Sequence, residues 1–393
     1  MDCYLGAEEA ARRLGVSRQT LYAYVSRGLL KAFGGADPRQ SRYLAQDVDR
    51  LAKERRRGRR PKEIAQSTLD WGMPVLESAL TLIEGERLYF RGHDAVDLAD
   101  QATLEDIAGL FWQVPLDLAF PAEAPQISPA YGALLPMLAP LPANETLLTL
   151  FAAATDDDAT AAWRQDPSLE ARGAGALLRH LTAVALRGPP AAAPVHLQLA
   201  RAFDTDAAGA DLIRRALVLC ADHELNASGF TARCVASTGA SLRAAVIGGL
   251  AALSGLRHGS MTVRVEHFWD SVSGADMAGK IRRRLESGEA VPGFHHPLYP
   301  HGDVRAKALL AQVLLRVPQA REIIAHVADL TGTHPSVDFA LVAVRRALNL
   351  PEGAAFLLFA IGRCVGWIAH AREQRATQSL IRPRAIYVGP RPA

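Results

Sequence analysis

The sequence is built mainly from Ala- and Leu-rich segments that alternate with short connections rich in Pro, Gly and Asp. This pattern begins near Thr103, where Glu105 and Asp106 stand near the expected start of a helix. Only 6% of the residues are aromatic, whereas 49% are hydrophobic and 22% are charged. Ala and Leu favour helices, and strands favour β-branched and aromatic residues. We therefore expect a globular, all-α architecture, with one β-like stretch at "RLYFRG".

Charge is distributed unevenly along the chain. Residues 1–63 contain 15 Lys and Arg against 8 Asp and Glu, a net charge of +7, although the whole chain carries only +3. After Pro61 the composition becomes rich in Ala and Leu. We predict an N-terminal module at 1–63, a linker at 64–74 and a large region at 75–389. The positive charge of the module suggests a polyanion or an acidic surface as its partner.

The stretch "LGVSRQTLYAYVSRGLL" predicts two short helices joined by a tight turn. Apolar residues recur at helical spacing in both, and the break falls at Gly15 and Val16. Ser17 is suited to cap the second helix, and Gly28 is suited to end it. The following "SRYLAQDVDRLAKERRRGRRPKE" predicts a third helix that ends in a basic run. The two helices and their turn form a helix-turn-helix pattern.

This pattern resembles the MerR/excisionase-like winged helix-turn-helix family. The second helix of such a motif meets base edges in the major groove. The resemblance therefore implies DNA contacts through Arg18, Gln19, Thr20 and Tyr24, while Lys and Arg would bind phosphates. A small helical docking module with a solvated basic tail is the alternative interpretation.

Six segments bring polar side chains into the apolar helices of the large region. They are "ADHELNASGFTARCVASTG" with His223, "LSGLRHGSMT" with His258, "VPGFHHPLYPHGDVRAKALL" with three histidines, "THPSVDFALVAVRRALNL" with Asp338, "FAIGRCVGWIAHAREQ" with Arg363 and "LIRPRAIYVGP" with Arg382. Taken singly, each has an ordinary structural explanation. A histidine can pack in a core, Asp338 can cap a helix, and Arg363 can pair with Glu373.

Metal binding and disulfide bonds are not predicted. No two of these histidines show the H-x-x-x-H or H-x-E spacing of a helical metal site. The four cysteines, Cys3, Cys220, Cys234 and Cys364, lie far apart without a C-x-x-C pair, which indicates a reducing compartment. The N-terminus lacks the pattern of a signal peptide, and polar residues interrupt each apolar run. We therefore expect a cytoplasmic protein without a membrane span.

Together and in this order, the six segments are similar to the citrate synthase family. The similarity runs from about Val75 to Gly389 and includes "LYFRGHDAVDLADQATLEDIAGLFW" near its start and "IRPRAIYVG" at its end. It implies an all-helical fold with a large domain and a small domain, the latter at about 225–335, and an active site in the cleft. It also implies an obligate homodimer and a CoA thioester substrate, with no cofactor and no metal.

The resemblance gives each polar residue a role. Asp338 would be the base that removes a methyl proton from acetyl-CoA, and its place at a helix start would favour the charged carboxylate. His258 would hydrogen-bond the thioester oxygen, and His296 would polarise and protonate the ketone of oxaloacetate. The residues that would bind oxaloacetate are His223, Arg305, Arg363 and, from the partner of the dimer, Arg382.

The chain also departs from the family pattern. His295 stands where the family usually has Gly, and Gly suits a tight loop. "HPLYP" replaces "HRVYK", which removes basic residues that could bind CoA phosphates. "GLRHGSMT" replaces "GPLHGGAN" and puts Arg257 beside His258, while "DVR" replaces "DPR" and keeps its Asp and Arg. We expect an intact oxo-acid side, an altered CoA side and an exposed turn at His301.

Three functions are consistent with these patterns. The first is the condensation of acetyl-CoA, oxaloacetate and water to citrate and CoA. The second is the same reaction with propionyl-CoA to give 2-methylcitrate, because one methylene offers limited discrimination. The third is a DNA-binding regulator whose citrate synthase-like body senses a metabolite.

Overall fold

The structure is a computed structural model that describes residues 4–14, 16–26, 30, 32–34, 41–49, 51, 76–155, 158–164, 166–385 and 387–390. The described residues form two compact units. The first lies within Met1–Glu77 and Arg384–Ala393, and the second is Ser78–Pro383. The first contains the helix-turn-helix segment, and the second contains the helical body.

The first unit combines two helices with a three-stranded antiparallel sheet. Its elements are β1 (Tyr4–Gly6), α1 (Ala7–Leu14), α2 (Arg18–Ser26), β2 (Ala32–Gly34) and β3 (Ser41–Leu44). β3 lies between β1 and β2, and residues 45–49 are helical. A small core of residues such as Leu14, Leu21 and Tyr43 is buried between the helices and the sheet.

The predicted cap of the second helix is present, but the predicted third helix begins later than expected. Ser17 Oγ accepts a hydrogen bond from the backbone N–H of Thr20 at 3.2 Å. The segment from Ser41 was expected to be helical, yet it forms β3 because its backbone pairs with both neighbouring strands and Tyr43 is fully buried. The basic run at 55–60 lies outside the described residues.

The second unit begins with a small antiparallel sheet. It contains β4 (Thr81–Glu84), β5 (Arg87–Phe90) and β6 (His93–Asp94) in that order. The β-like reading of "RLYFRG" is confirmed by β5, whose alternate residues Leu88 and Phe90 are buried. This alternation is what a strand with one face on a core requires.

Helices make up most of the second unit. In chain order they are α3 (Ala95–Gln101), α4 (Leu104–Trp112), α5 (Leu116–Ala119), α6 (Pro129–Leu138), α7 (Ala143–Ala154), α8 (Pro167–Ala185), α9 (Val195–Ala202), α10 (Ala207–Cys220), α11 (Ala227–Ser237), α12 (Leu242–Leu253), α13 (Met261–Val272), α14 (Met277–Glu286), α15 (Val304–Val313), α16 (Pro318–Thr331), α17 (Val337–Ala347) and α18 (Ala354–Thr377). A short 3₁₀ turn occupies Asp158–Thr160. The all-α expectation for the body is confirmed.

The start of α4 was predicted correctly from its local residues. The Thr103 side chain accepts a hydrogen bond from the backbone N–H of Asp106 at 3.1 Å, and the Asp106 carboxylate accepts one from the Thr103 backbone at 2.8 Å. This reciprocal capping box satisfies donors that the first turn of a helix leaves unpaired.

α18 is the central helix of the unit, and it packs against α4, α10, α11 and α12. Its length and composition alone would allow it to cross a membrane, which differs from the expectation that polar residues interrupt every such run. All of its most apolar window is buried inside the unit, as in the core helix of a globular domain. The helix carries Arg363 and His370 at fully buried positions.

Candidate active site

The loop rich in histidine is held against the start of α17. Phe294 and Pro335 form an antiparallel bridge. Next to it, the backbone N–H of Ser336 donates to the carbonyl oxygen of Gly293 at 2.8 Å. Two segments that are about 40 residues apart in sequence are thereby fixed side by side, and each carries a predicted catalytic residue.

The three histidines of this loop have different surroundings. His295 is exposed and has a φ of 70°, in the left-handed region that favours glycine. The backbone at position 295 therefore has the conformation that suits the glycine usual in the family. His301 is exposed and hydrogen-bonded to Glu86, as its predicted place in a turn implies. Only His296 enters the buried group described next.

The half-buried His296 forms an aromatic cluster with the buried His223 and Tyr299. His223 Nε2 and the Tyr299 hydroxyl lie 3.0 Å apart, and the rings of His223 and His296 are 5.1 Å apart and nearly perpendicular. Burial lowers the pKa of His296 to about 4, and the nearby positive charge of Arg305 acts in the same direction. The pKa of His223 is lowered well below its usual value, first by burial and then by Arg305. Both imidazoles are therefore neutral at pH 7.

The position of one proton on His296 follows from its backbone contact. The N–H of Leu298 donates to His296 Nδ1 at 3.2 Å. Nδ1 must therefore present its lone pair, and the proton of the neutral ring is on Nε2. His296 is thus a neutral hydrogen-bond donor through Nε2.

Arg305 is fixed by a buried carboxylate. Asp303 accepts hydrogen bonds from Arg305 Nε at 3.0 Å and from Nη2 at 2.7 Å, and it also accepts the backbone N–H of Val337 at 3.1 Å. Burial alone would raise the pKa of Asp303, but the charge and hydrogen bonds of Arg305 hold it below its usual value. Asp303 therefore orients Arg305 and ties it to the first turn of α17.

Asp338 lies in the first turn of α17, as predicted, but the N-cap is Ser336. The Ser336 hydroxyl donates to Asp338 Oδ2 at 3.1 Å, whereas Oδ1 is buried and receives no hydrogen bond from the described part of the chain. Burial raises the pKa of Asp338 to about 6, although the charge of Arg305 opposes this shift. A carboxylate with such a pKa is suited to accept a proton near neutral pH.

His258 lies in the turn before α13, three residues earlier than that helix begins. Its Nε2 is 2.8 Å from the hydroxyl of Ser228, which is fully buried. Burial lowers the pKa of His258 to about 3, and the charge of Arg363 contributes to the shift. His258 is therefore a neutral imidazole whose orientation is fixed by Ser228.

Arg363 is 1% exposed in the middle of α18. Its Nε donates to the carbonyl oxygen of Cys220 at 2.8 Å, and its guanidinium lies 4.9 Å from the ring centre of Phe359. Phe359 also meets His258 edge to face at 6.0 Å. Burial lowers the pKa of Arg363 to about 10, so it stays charged at pH 7, and Nη2 finds no acceptor among the described groups.

The alternative ion pair of Arg363 with Glu373 does not form. The Glu373 carboxylate instead accepts a hydrogen bond from Arg233 at 2.9 Å. Arg382 is exposed on the coil after α18 and lies outside the buried group. Among the described residues, no group of three or more His, Cys, Asp or Glu could hold a metal ion.

The structure describes only two of the four side chains that were predicted to bind DNA. Thr20 and Tyr24 are half-buried on α2. The backbones of Arg18 and Gln19 belong to α2, but their side chains lie outside the described part of the chain. Their contacts with DNA stay a prediction.

Sequence reasoning missed two polar residues of the buried group. Ser228 was hidden in "LNAS", where it reads as the start of a helix capped by Asn226. Tyr299 was hidden in "HPLYP", a loop phrase whose tyrosine gives no sign of burial. Each is within a few positions of a predicted residue, but its hydrogen-bond partner is 30 positions away for Ser228 and 76 for Tyr299.

Comparisons with known proteins agree on both units. The family model "Citrate synthase, C-terminal domain" matches residues 68–384, and a "Helix-turn-helix domain" model matches residues 4–56. "Citrate synthase 2" of Bacillus subtilis (strain 168) is 29% identical over 354 residues, which cover 81% of this chain and 95% of that protein. "2-methylcitrate synthase" of Mycobacterium tuberculosis is also 29% identical, over 340 residues, 77% of this chain and 84% of the relative.

Solved structures show the same fold. Citrate synthase from Thermotoga maritima MSB8 aligns with a TM-score of 0.68 and 24% identity, and the alignment covers 82% of this chain and 95% of that one. Citrate synthase from Thermoplasma acidophilum, solved as a ternary complex with carboxymethyl coenzyme A and oxaloacetate, aligns with a TM-score of 0.67 and 24% identity, and the alignment covers 82% of this chain and 95% of that one. The family model spans most of the chain, so this protein belongs to the citrate synthase family of enzymes and carries an N-terminal helix-turn-helix domain.

Proposed function

We propose that the protein condenses acetyl-CoA with oxaloacetate and water to give citrate and CoA. The observation that carries the proposal is Asp338, a carboxylate with a pKa of about 6 and one buried oxygen that receives no hydrogen bond from the described groups. The positive charge of Arg305 acts on Asp338 and also on the neutral imidazoles of His223 and His296. No cofactor is required, because the CoA thioester is itself a substrate.

In the first step, Asp338 would remove a proton from the methyl group of the thioester. The helix start of α17 would stabilise its negative charge before the reaction. His258 would donate a hydrogen bond to the thioester oxygen, which becomes the enol oxygen. Ser228 supports this role, because its hydroxyl lies 2.8 Å from His258 Nε2 and fixes the position of the ring.

In the second step, the methyl carbon of the enol would attack the ketone carbon of oxaloacetate. The neutral donor Nε2 of His296 would polarise the ketone oxygen and protonate it as the bond forms. His223, Arg305 and Arg363 would bind the oxo-acid and its two carboxylates. Water would then hydrolyse the thioester and release CoA.

The predicted domain and subunit arrangement fits this chemistry. A small domain at about 225–335 would carry His258, His296 and Arg305, so its movement would open and close the cleft. Arg382, which is exposed on its own chain, would enter the site of the partner in a homodimer. Sedimentation of the full chain would test the dimer, and a monomer at working concentrations would contradict it.

Release of free thiol from acetyl-CoA in the presence of oxaloacetate tests the condensation. Asp338→Ala is expected to abolish turnover. Asp329→Ala is the matched control, since Asp329 is an exposed aspartate on α16. A folded wild-type protein with no turnover of acetyl-CoA or propionyl-CoA would reject the proposal.

Propionyl-CoA is the alternative substrate. The citrate synthase and 2-methylcitrate synthase relatives are equally similar, at 29% identity. One methylene in an apolar pocket changes binding by about 1–3 kcal/mol. The ratio of kcat/KM for the two thioesters decides between them, and a ratio above ten in favour of propionyl-CoA would assign 2-methylcitrate synthesis.

DNA binding by the helix-turn-helix domain is a second candidate function, supported by the family match at residues 4–56 and by the net charge of +7 in residues 1–63. Fluorescence anisotropy of the full chain with duplex DNA would test it over a range of salt concentrations. Binding that weakens with salt and is lost in Arg18→Ala would support a regulator. No binding at low salt would exclude it.

A further inference from the structure

A fully buried aspartate–histidine pair lies beside the candidate site without a role in the reaction described above. His370 Nε2 on α18 is 3.2 Å from Asp222 Oδ1, and neither side chain is exposed. The hydroxyl of Thr81 on β4 donates to the other carboxylate oxygen of Asp222 at 2.6 Å. A buried carboxylate is costly unless it is paired and hydrogen-bonded, so this arrangement calls for an explanation.

The position of Asp222 connects the pair to the oxo-acid side of the site. Asp222 directly precedes His223, which approaches His296 and Tyr299. Two residues earlier, the carbonyl oxygen of Cys220 accepts the hydrogen bond from Arg363 Nε. Asp222 therefore belongs to the short segment that carries His223 and accepts the hydrogen bond of Arg363, the two residues expected to bind oxaloacetate.

The backbone on both sides of Asp222 is held closely against α18. The N–H of Gly366 donates to the carbonyl oxygen of Ala221 at 3.1 Å. A Cβ at Gly366 would lie 2.6 Å from Asp222 Oδ1, so no larger residue fits there. The chain segment that leads into His223 is thus fixed to α18 at three successive residues, and the Asp222–His370 pair is the last of these attachments.

We propose that the Asp222–His370 pair, with Thr81, positions His223 and Arg363 for binding of the dicarboxylate oxo-acid. This inference rests on the proposed function, since it concerns the same site. Asp222 and His370 are positioning residues: they act through His223 and Arg363 and do not touch the substrate.

A purely electrostatic role of Asp222 and a positioning role predict opposite changes in the affinity for oxaloacetate. Asp222 carries a negative charge, like the two carboxylates of oxaloacetate. If Asp222 were only a nearby charge, Asp222→Asn would strengthen the binding of the dianion. If it positions His223 and Arg363, the same substitution weakens binding although a repulsive charge has been removed.

The experiment measures the dissociation constant of oxaloacetate by calorimetry on the full chain. Asp222→Asn and His370→Gln are each expected to raise it about tenfold, because each removes one partner of the buried pair. In steady-state assays the KM for oxaloacetate should rise, while the KM for the thioester stays the same. Unchanged or tighter binding of oxaloacetate by Asp222→Asn would overturn the proposal.

Two further sets of variants separate positioning from loss of stability. Thr81→Val removes the 2.6 Å hydrogen bond and keeps the side-chain shape, whereas Thr81→Ser keeps the hydroxyl. We expect weaker oxaloacetate binding in Thr81→Val and wild-type binding in Thr81→Ser. Equal binding by both would overturn the proposal even if Asp222→Asn failed to fold.

Glu170→Gln is the control for a lost ion pair on the same helix. The Glu170 carboxylate accepts a hydrogen bond at 2.7 Å from Arg372, which is two residues after His370 on α18. Glu170 lies outside the proposed site. Its substitution should lower Tm without changing the affinity for oxaloacetate; an equal loss of affinity would overturn the positioning role. Binding by the wild type without turnover would reject the condensation alone, and no binding by the wild type would reject both proposals.

Discussion

The hydroxyl of Ser228 lies 2.8 Å from Nε2 of His258, although the residues are 30 positions apart in sequence. Ser228 is the second residue of α11, and Asn226 caps that helix by accepting the backbone N–H groups of Ser228 and Gly229. The helix start therefore fixes the hydroxyl, and the hydroxyl fixes the imidazole. The orientation of His258 depends on an element far from it in sequence.

Ser228→Ala is expected to lower kcat about tenfold, because His258 loses the hydrogen bond that fixes its orientation. The KM for oxaloacetate should change little, since Ser228 is not one of the residues proposed to bind oxaloacetate. Steady-state assays with thiol detection measure both constants. The exposed Ser287→Ala, at the end of α14, is the control, and equal kcat values for all three proteins would contradict the role of Ser228.

The pH dependence of kcat/KM should show an acid limb with a midpoint near 6. Asp338 must be charged to accept a proton, and burial raises its pKa to about 6. His258 and His296, with pKa values of about 3 and 4, stay neutral throughout this range. Assays between pH 5 and 8 measure the limb. A kcat/KM that stays constant down to pH 5 would contradict a pKa of about 6 for Asp338.

Asp338→Asn should stabilise the fold at pH 7 while it abolishes turnover. The pKa of Asp338 is raised in the folded state, so the wild-type group favours folding below its unfolded pKa, and that contribution is lost as pH rises through about 6. Removing the charge should stabilise the protein by about 2–3 kcal/mol at pH 7 and by much less at pH 4. Urea unfolding at the two pH values measures the difference, and an equal gain at both would argue against a buried charge.

His295→Gly should stabilise the protein by about 1 kcal/mol, because glycine adopts a φ of 70° without strain. His295 is exposed, so little packing is lost. The control is His267→Gly, at an exposed position inside α13, which should destabilise by about 1 kcal/mol. Thermal unfolding compares the two, and destabilisation by His295→Gly would show that its side chain has a structural contact.

Gly366→Ala should destabilise the protein by about 1–3 kcal/mol, because its Cβ would collide with the carboxylate of Asp222 and the neighbouring backbone. Gly132→Ala on α6 is the matched control, since its Cβ would meet nothing within 4 Å. That substitution should stabilise by up to about 1 kcal/mol through helix propensity. Denaturant unfolding measures both, and similar values for the two variants would contradict the close approach at Gly366.

Local residue patterns were enough to predict several elements. The capping box at Thr103, the strand at "RLYF" and the helix start at Asp338 all follow from residues within a few positions of one another. The error at Ser41 has the opposite cause. Its segment can form a helix locally, but pairing with β1 and β2 provides backbone hydrogen bonds that the local sequence does not reveal.

The sequence by itself determined the helical class, the family and the residue types available for chemistry, because composition, helix caps and the order of motifs are read along the chain. Only the tertiary structure decided which side chains meet. Ser228 reaches His258, Asp222 meets His370, and Asp303 joins Arg305 to α17. These contacts depend on how distant helices pack, and packing also sets the burial that shifts each pKa.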